Sequence, residues 1–383
     1  MTPIDWAVGA LFVAVMASGF DLFFGLRRLA RAAGLPPWEG PNPPLVSLVV
    51  PARNEARSIE RAMRSLLAQR WPALEIVAVD DRSEDGTRSI LDRLSAEDPR
   101  LTVVHVSALP PGWMGKNHAL HLGAARARGA WILFADADVV MHPELLSRMV
   151  RYATDRGYDH VALGPEMHMP GFLLEAFSTG FVLSFHGFMR PWKARDPRSA
   201  SFIGIGAFNL VRAEVYRQAG GHEPIRLRPD DDIKLGKMLK RAGARQDLVE
   251  GTGMASVEWY HSLRELMHGL EKNAFAGLEY RVLVAVPAVL LHLTLGLGPL
   301  IGVLILRGPS QVLCAVMVGW ALFLYSHIAG RVGTRRSTAL LYPVFIVMFN
   351  WIVLRTMAVN LRDGGIRWRG TFYPLAELKK NRV

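Results

Sequence analysis

Cysteine is almost absent from this sequence, since Cys314 is the only one among 383 residues. An intrachain disulfide is therefore excluded, and the fold has no need of an oxidising compartment. Internal repeats and low-complexity tracts are missing as well, which excludes a repeat protein and a compositionally biased chain.

Acidic residues are fewer than basic ones, 34 against 45, which gives a formal net charge of +11. A basic chain can bind nucleic acid, but here the arginines lie beside apolar runs. Half of the residues are hydrophobic and the mean hydropathy is +0.17, a high value for a soluble protein. This pattern follows the positive-inside rule of membrane proteins rather than a nucleic-acid footprint. We therefore expect a membrane as a partner and no nucleic acid.

The first long apolar run covers residues 4–26, which is enough to span a bilayer. Arg27, Arg28 and Arg31 follow it, so the positive-inside rule places the rest of the domain in the cytoplasm. No small-residue cleavage site is evident, which favours an anchor in the inner (cell) membrane over a removed signal peptide. Residues 34–44 hold five prolines and two glycines and are predicted to form a linker.

Three further apolar runs of membrane-spanning length occupy residues 282–306, 312–329 and 339–359. Three crossings from a cytoplasmic domain would leave the basic tail, residues 361–383, outside, against the positive-inside rule. Either one run is re-entrant, for which 282–306 with its Gly296-Leu297-Gly298-Pro299 break is the candidate, or the tail is an exception. The number of C-terminal spans stays open.

Between these apolar regions, strand-type and helix-type segments alternate. Apolar runs at residues 45–50, 74–79, 101–106 and 131–135 are separated by segments with helical spacing, such as residues 58–69. This alternation predicts an α/β domain with a parallel, doubly wound sheet. Because open α/β sheets bind ligands at the carboxyl ends of their strands, the residues that follow these runs are candidate site residues.

Carboxylates follow two of the strand-type runs. Asp136 and Asp138 close the run that begins at Trp131, and as alternate residues of a strand they would project from the same side. Two such carboxylates can hold Mg²⁺ or Mn²⁺, which commonly bridges a protein to a diphosphate. Asp80 and Asp81 end an earlier strand, so one ligand can contact both clusters. Taken alone, Asp-x-Asp is more often a solvated turn, and its interpretation depends on the rest of the chain.

Four motifs in order give a specific resemblance. They are Pro51-Ala52-Arg53-Asn54-Glu55, Val79-Asp80-Asp81-Arg82-Ser83-Glu84-Asp85-Gly86-Thr87, Gly115-Lys116-Asn117-His118-Ala119-Leu120 and Ala135-Asp136-Ala137-Asp138. In this order and spacing they resemble the successive motifs of family 2 glycosyltransferases, which are inverting enzymes with the GT-A fold. The resemblance covers about residues 45–281 and implies a Rossmann-like, mostly parallel sheet.

The resemblance also implies roles for individual residues. It assigns the nucleoside to Asp80 and to the five residues of the first motif, Pro51, Ala52, Arg53, Asn54 and Glu55. Asp81 is a neighbouring candidate, Lys116 would contact the diphosphate of the donor, and Asp136 and Asp138 would carry a divalent metal, Mn²⁺ or Mg²⁺. The chemistry is consistent with these roles, because a carboxylate can accept a hydrogen bond from a nucleobase N–H, and the charged lysine ammonium suits a phosphate. Without the other motifs, Lys116 would be interpreted as an exposed surface lysine.

The run Pro229-Asp230-Asp231-Asp232-Ile233-Lys234-Leu235 opens a predicted amphipathic helix. Acidic residues at a helix start are ordinarily caps. The run also resembles the Glu-Asp-x-x-Leu motif of the family, whose second acid is the catalytic base. The resemblance therefore makes Asp232 the base and Leu235 the motif leucine. Asp231 replaces the usual glutamate, and its positioning role is left open.

The Gln/Arg-x-x-Arg-Trp motif of processive family members does not occur. In its place stand Tyr260, His261 and Arg264, which either meet the leaving diphosphate or belong to an ordinary surface helix. This form resembles the branch that glycosylates lipids such as ceramide, carotenoids or hopanoid-linked acceptors. The apolar, aromatic-rich residues 171–192 are predicted to form either a helix in the membrane interface or a buried core helix.

These features predict five regions: an N-terminal transmembrane anchor (1–33), a linker (34–44), a GT-A domain (45–281), a C-terminal transmembrane region (282–360) and a basic tail (361–383). The expected activity is inverting transfer of a sugar from a nucleotide-diphosphate sugar, with UDP as the expected nucleotide, to a hydroxyl of a lipid acceptor at the cytoplasmic membrane face. A processive polysaccharide synthase and a non-catalytic scaffold stay open as alternatives. A nucleotidyltransferase can share the sheet and the metal site, but the Asp232 region and the apolar runs favour glycosyl transfer.

Overall fold

The computed structural model describes residues 2–383. Its strands, in chain order, are β1 (Ala30–Arg31), β2 (Val46–Ala52), β3 (Leu74–Asp81), β4 (Leu101–Val106), β5 (Trp131–Phe134), β6 (Val140–Met141), β7 (His160–Gly164), β8 (Glu166–His168), β9 (Asn209–Arg212), β10 (Gln246–Glu250), β11 (Ala255–Glu258), β12 (Gly365–Trp368) and β13 (Thr371–Pro374). Its α-helices, in chain order, are α1 (Pro3–Leu26), α2 (Ile59–Leu67), α3 (Thr87–Glu97), α4 (Gly115–Arg126), α5 (Leu145–Arg156), α6 (Phe172–Met189), α7 (Ala213–Gln218), α8 (Asp231–Arg241), α9 (Leu263–Glu271), α10 (Val282–Ile305), α11 (Pro309–Val332), α12 (Tyr342–Arg362) and α13 (Leu375–Lys380).

These elements form two compact units. The sheet unit comprises Leu29–Met167, Pro191–Glu258 and Lys380–Val383. The helical unit comprises the chain up to Arg28, His168–Arg190 and Trp259–Lys379. Each unit is therefore built from segments that lie far apart in the sequence. The five region boundaries given above stay predictions.

Eight strands form the central sheet of the sheet unit, in the order β1-β10-β7-β9-β5-β2-β3-β4. Neighbouring strands are parallel except at β9, which runs antiparallel to both β5 and β7. All eight residues of β3 are buried, as expected for a parallel strand covered on both faces. The mixed α/β architecture with a mostly parallel sheet is therefore confirmed.

The strand order reverses beside β2, which pairs with β3 on one side and with β5 on the other. Pro51 and Ala52 are the last residues of β2, β3 ends at Asp81, and Asp136 follows β5. Parallel strands end at the same edge of a sheet, so three of the four motifs are brought to one edge. Such a reversal point is where open α/β sheets bind ligands.

The core of the sheet unit occupies both faces of the central sheet. Leu48 and Val50 of β2 enter one apolar cluster with Leu133, and Val49 enters another with Ile132. Alternate residues of a strand face opposite sides, which explains why neighbours in β2 enter different clusters. These five side chains are 0% exposed, and burial of each is worth about 1.5–3 kcal/mol.

Five helices are long and apolar enough to cross a membrane by length and composition: Pro3–Leu26, Phe172–Lys193, Val282–Ile305, Pro309–Val332 and Arg336–Arg362. The apolar runs at both ends of the sequence are therefore helical, as predicted, and they indicate membrane association. Helix α6 packs one side into the helical unit, where the rings of Phe177 and Phe345 meet edge to face at 5.4 Å. Near its other end, Phe188 is 76% exposed.

Candidate active site

Strand β5 ends at Phe134, two residues before the Asp-x-Asp motif. Asp136 and Asp138 therefore lie in the loop after the strand, and the expectation that they alternate as strand residues is wrong. A backbone hydrogen bond from Asp136 N to Gly206 O, at 3.1 Å, holds this loop. Burial, together with the charges of Asp136 and Glu55, raises the pKa of Asp138 to about 7. This part of the site thus has an excess of negative charge.

Helix α4 presents a lysine to these carboxylates in its first turn. Lys116 Nζ lies 2.8 Å from Asp136 Oδ1 and 3.5 Å from Asp231 Oδ2. Burial alone would lower the pKa of Lys116, but the charges of Asp136, Asp231 and Asp232 outweigh burial, and the pKa is raised. Lys116 is therefore a charged ammonium group fixed among carboxylates. Its interpretation as an ordinary surface lysine is wrong.

Helix α8 brings two more carboxylates to the same place, because it begins at Asp231. Asp232 Oδ2 accepts a hydrogen bond from Gly206 N (2.7 Å), and its Oδ1 accepts one from Ile233 N (2.8 Å). Burial raises the pKa of Asp232, and the charge of Lys116 opposes that rise. Capping does not describe these residues fully, since each of the two aspartates also pairs with a group outside α8.

Two glycines allow the backbone to approach these side chains closely. A Cβ atom on Gly206 would lie 2.6 Å from Asp136 Oδ2, and one on Gly204 would lie 1.9 Å from the carbonyl oxygen of Asp232. A larger residue at either position would push apart the segments that hold the carboxylates. The close approach seen here is between protein groups.

A narrow pocket connects these groups. Residues from five separate segments of the chain line it, among them Lys116, Asp136, Gly206, His222, Asp231 and Asp232. The third and fourth sequence motifs and the acidic start of α8 therefore meet at one point, although they are far apart in sequence. We call this place the Lys116 pocket.

His222 is a residue of the Lys116 pocket that no sequence motif predicts. It is 1% exposed, and its Nδ1 lies 2.7 Å from the hydroxyl oxygen of Tyr216. Burial, with smaller contributions from the nearby Lys116 and His121, lowers the pKa of His222 to about 3, so the ring is neutral. The glycine pair before it marks a turn, but the local pattern does not show that the next side chain points inward.

The nucleoside candidates lie at the ends of β2 and β3. Asp80 is 2% exposed, and its Oδ1 accepts a hydrogen bond from Ser83 N at 3.2 Å. Its Oδ2 lies 3.1 Å from His105 Nδ1, and His105 Nε2 lies 2.8 Å from Asp92 Oδ1. An imidazole between two carboxylates thus holds the Asp80 side chain in one orientation.

Asp81 differs from Asp80 because it pairs with arginines. Arg82 Nε donates to Asp81 Oδ1 at 2.7 Å, and Arg53 Nη1 lies 3.8 Å from Asp81 Oδ2. The loop that contains Arg53 is attached to the segment after β3, since Glu55 N donates to Thr87 Oγ1 at 2.7 Å. Residues 51–55 and the end of β3 therefore form one connected surface, which we call the β3 edge.

The predicted site residues of the sheet unit lie in three places: the Lys116 pocket, the β3 edge and the loop after β5, which holds Asp138. Lys116, Asp136, Asp231 and Asp232 line the Lys116 pocket, and Asp80, Asp81 and the 51–55 loop form the β3 edge. The charge of Glu55 raises the pKa of Asp138, which links the β3 edge to the Asp-x-Asp loop. Tyr260, His261 and Arg264 belong to the helical unit, and their contact with the leaving diphosphate stays a prediction.

Residues 47–219 match the model of glycosyl transferase family 2. The match includes Asp80, Lys116, Asp136 and Asp138 and ends before α8. The chain therefore carries a family 2 glycosyltransferase domain, as the motif resemblance implies, and it is an enzyme of the glycosyltransferase class.

Two comparisons extend this similarity beyond the matched segment. The 4,4'-diaponeurosporenoate glycosyltransferase of Staphylococcus aureus (strain USA300) is 23% identical over 341 residues, which cover 87% of this chain and 89% of that protein. A solved mannosyltransferase from Pyrobaculum calidifontis, in complex with GDP-Man and Mn²⁺, covers 93% of this chain and 99% of its own, with a TM-score of 0.54 and 20% identity. The second similarity supports the GT-A fold.

Proposed function

We propose that this enzyme transfers a sugar from a nucleotide-diphosphate sugar, with UDP as the expected nucleotide, to a hydroxyl of a lipid acceptor, with inversion at the sugar carbon. The observation that carries the proposal is the meeting of Lys116, Asp136, Asp231 and Asp232 in one pocket. Such a transfer needs a group that accepts the acceptor's proton and a cation that stabilises the leaving diphosphate. The Lys116 pocket offers both.

Asp232 is the proposed general base. Its pKa lies above that of an exposed aspartate because it is buried, while Lys116 favours the ionised form. A base works best when its pKa approaches the working pH, so the burial improves Asp232 for this role. The hydrogen bond from Gly206 N fixes one carboxylate oxygen. Removal of the proton lets the acceptor oxygen attack the sugar from the side opposite the diphosphate, which inverts the configuration.

Lys116 is the proposed partner of the leaving diphosphate. Negative charge grows on the diphosphate as its bond to the sugar breaks, and a fixed ammonium in a buried site stabilises that charge strongly. Its contact with Asp136 Oδ1, at 2.8 Å, holds the long side chain in place before the donor binds. Asp231 Oδ2 contacts the same ammonium from the α8 side. We propose that Asp231, which replaces the family glutamate, helps to hold this ammonium in position.

Asp136 and Asp138 are the proposed ligands of Mn²⁺ or Mg²⁺. Among residues 2–383, no three His, Cys, Asp or Glu side chains stand together as a metal-binding group. Two carboxylates are nevertheless what such ions ordinarily take from a protein when diphosphate oxygens and water complete the coordination. The excess negative charge that raises the pKa of Asp138 fits a cation at this place. When bound, the cation would neutralise charge on the diphosphate.

The compared proteins support the donor and acceptor classes. The P. calidifontis structure contains GDP-Man and Mn²⁺, so GDP is the competing nucleotide, and the S. aureus relative is named for the acceptor 4,4'-diaponeurosporenoate. That name denotes a carboxylate, which makes a lipid carboxylate the second candidate acceptor. An ionised carboxylate has no proton to remove, so Asp232 would be dispensable for it.

The membrane helices and the arginines after α1 support the proposed location. Helices long and apolar enough to span a bilayer bring the enzyme to the phase in which a lipid acceptor is dissolved. Arg27, Arg28 and Arg31 follow the first of them, and the positive-inside rule then puts the sheet unit on the cytoplasmic side.

The test is nucleotide release by the full-length protein in detergent, with UDP- and GDP-sugars, extracted membrane lipids as acceptors, and Mn²⁺, Mg²⁺ or EDTA. We expect release from one donor that requires both the metal and lipid and that is lost in Asp138→Asn. Asp155→Asn, which changes an exposed carboxylate on α5, is the matched control. If no nucleotide is released, calorimetry with UDP, GDP and Mn²⁺ distinguishes two cases. Nucleotide binding would indicate an enzyme that lacks its acceptor, whereas absence of binding would indicate a scaffold and contradict the proposal.

Product length separates single transfer from the processive alternative. We expect one sugar per acceptor, measured by mass spectrometry of the lipid product. A ladder of longer products would favour the synthase.

A further inference from the structure

The loop of residues 222–230 leads directly into α8 and is supported by the α4 helix. Asn117 is 1% exposed, and its Nδ2 donates hydrogen bonds to the carbonyl oxygens of Ile225 (2.7 Å) and Arg228 (2.9 Å). Asn117 is the residue next to Lys116. Helix α4 therefore supplies the cation of the Lys116 pocket and also one support of this loop.

A second asparagine, from the basic tail, supports the same loop. Asn381 Oδ1 accepts a hydrogen bond from Leu227 N (3.1 Å), and Asn381 Nδ2 donates one to Pro224 O (2.8 Å). A side-chain amide offers a donor and an acceptor together, so it can pair with both kinds of backbone group at once. Since Leu227 is 7% exposed, its N–H needs a partner within the protein.

The tail also contacts α8 itself. Lys237 Nζ donates to the carbonyl oxygen of Val383 at 2.6 Å. The side chain of Val383 packs against the apolar cluster that contains Leu235 and Met238 of α8. The tail therefore touches both the loop before α8 and the helix that presents the acidic residues of the pocket.

We propose that Asn381 is a positioning residue that sets the place of Asp231 and Asp232 through the loop and α8. Both aspartates lie in the first turn of α8, directly after the loop, so a shift of the loop moves them. Their partners, Lys116 and Gly206, lie on other segments and would not follow. Displacement of a reacting group by about 1 Å can lower a rate by up to 10²-fold. For its kinetic effect the inference rests on the function proposed above.

The experiment compares three variants of the full-length enzyme. Asn381→Ala removes both hydrogen bonds, Asn381→Asp keeps only the acceptor, and Lys380→Ala changes an exposed neighbour in the same tail. We expect kcat to fall about tenfold in Asn381→Ala, less in Asn381→Asp and not at all in Lys380→Ala, because only the placement of the α8 carboxylates changes. Donor affinity, measured by calorimetry, should stay at the wild-type value, and the thermal midpoint should fall only slightly, because one buried N–H loses its partner.

Unchanged kcat in Asn381→Ala would overturn the inference. So would a parallel loss of kcat, donor affinity and thermal stability, because that result would show a general structural role.

Hydrogen exchange separates this inference from the proposed function. In Asn381→Ala we expect faster exchange at the Leu227 amide and in the first turn of α8, with no change in α4. This readout needs no turnover. If wild-type protein transfers no sugar but the exchange changes as expected, the proposed function fails and the positioning contact stands; if transfer is observed and the exchange is unchanged, the positioning role fails.

Discussion

The Lys116 pocket and the β3 edge both hold buried carboxylates, but they pair them in different ways. At the β3 edge, Asp81 pairs with Arg82, its neighbour in the sequence, at 2.7 Å. In the Lys116 pocket, Asp136 and Asp231 share one ammonium, at 2.8 and 3.5 Å, although they come from segments far apart in the sequence. The first arrangement is largely local, whereas the second exists only in the folded chain.

This difference suggests a division of work between the two regions. A pair formed by neighbours keeps its geometry and suits recognition of an unchanging part of the donor. A shared ammonium responds to each charge around it, which suits a place where charge moves during the reaction. We therefore expect changes in the Lys116 pocket to act on kcat and changes at the β3 edge to act on donor affinity.

The largest effect is expected from Asp232→Asn, which removes the proposed base from the pocket. We expect kcat for a hydroxyl acceptor to fall by roughly 10³-fold, within the usual range for loss of a general base. Donor affinity, measured by calorimetry, should be little changed. Full transfer by Asp232→Asn would contradict the base assignment for a hydroxyl and would favour a carboxylate acceptor, which product analysis then identifies.

Lys116→Met should have the next largest effect and should also change the pH dependence. Lys116 lowers the pKa of Asp232, so without the ammonium that pKa rises further and the carboxylate is protonated at higher pH. The acidic limb of the kcat profile should therefore move to higher pH, and kcat at neutral pH should fall by about 10²-fold. Rates measured between acidic and alkaline pH test this, with Lys380→Met as the control. A profile that keeps its position would show that Lys116 does not set the ionisation of the base.

A smaller effect, of the opposite kind, is expected at the β3 edge. In His105→Ala the Asp80 side chain loses the contact that orients it. We expect the KM for the donor to rise about tenfold, which corresponds to the loss of one charge-assisted hydrogen bond, with kcat little changed. Steady-state kinetics with the accepted donor measure both constants. If kcat falls and KM stays constant, the division between the two regions is wrong.

The smallest effect concerns stability and the neutral histidine of the pocket. The pKa of His222 is lowered to about 3, so below the ordinary histidine pKa only the unfolded chain takes up this proton. Stability must therefore fall as the pH is lowered, by roughly 0.7 kcal/mol between pH 7 and pH 6 for this one group. Thermal unfolding at both pH values should show a smaller fall in His222→Gln than in wild type. Other buried histidines contribute equally to both proteins and cancel, so equal falls would contradict the prediction.

Features that depend on local pattern could be predicted from the sequence. The parallel sheet follows from apolar runs at regular spacing, and Asp80, Lys116, Asp136 and Asp232 belong to short motifs whose order is itself informative. Local pattern also indicated the apolar helices at both ends. In each case the residues that determine the feature lie within a few positions of one another.

Features that depend on distant segments could not be predicted in this way. The antiparallel β9 lies between β5 and β7. The four residues of β9 do not by themselves indicate which strands it pairs with. The loop after β5 is held by the hydrogen bond from Asp136 N to Gly206 O, and His222 meets Lys116 and Asp136 only in the folded chain. The contacts of Asn381 join segments separated by more than 150 residues.

The return of the tail to the sheet unit restricts how the chain passes through a bilayer. The chain leaves the sheet unit after Glu258 and rejoins it at Lys380. A chain that starts and ends in one folded body on one side of a bilayer crosses it an even number of times, so we expect that α10, α11 and α12 are not all complete crossings. The same parity applies to α6, whose flanking segments both belong to the sheet unit, and we expect that α6 alone does not cross. On this expectation the end of the basic tail, Lys380–Val383, would lie on the side of the sheet unit, in agreement with the positive-inside rule.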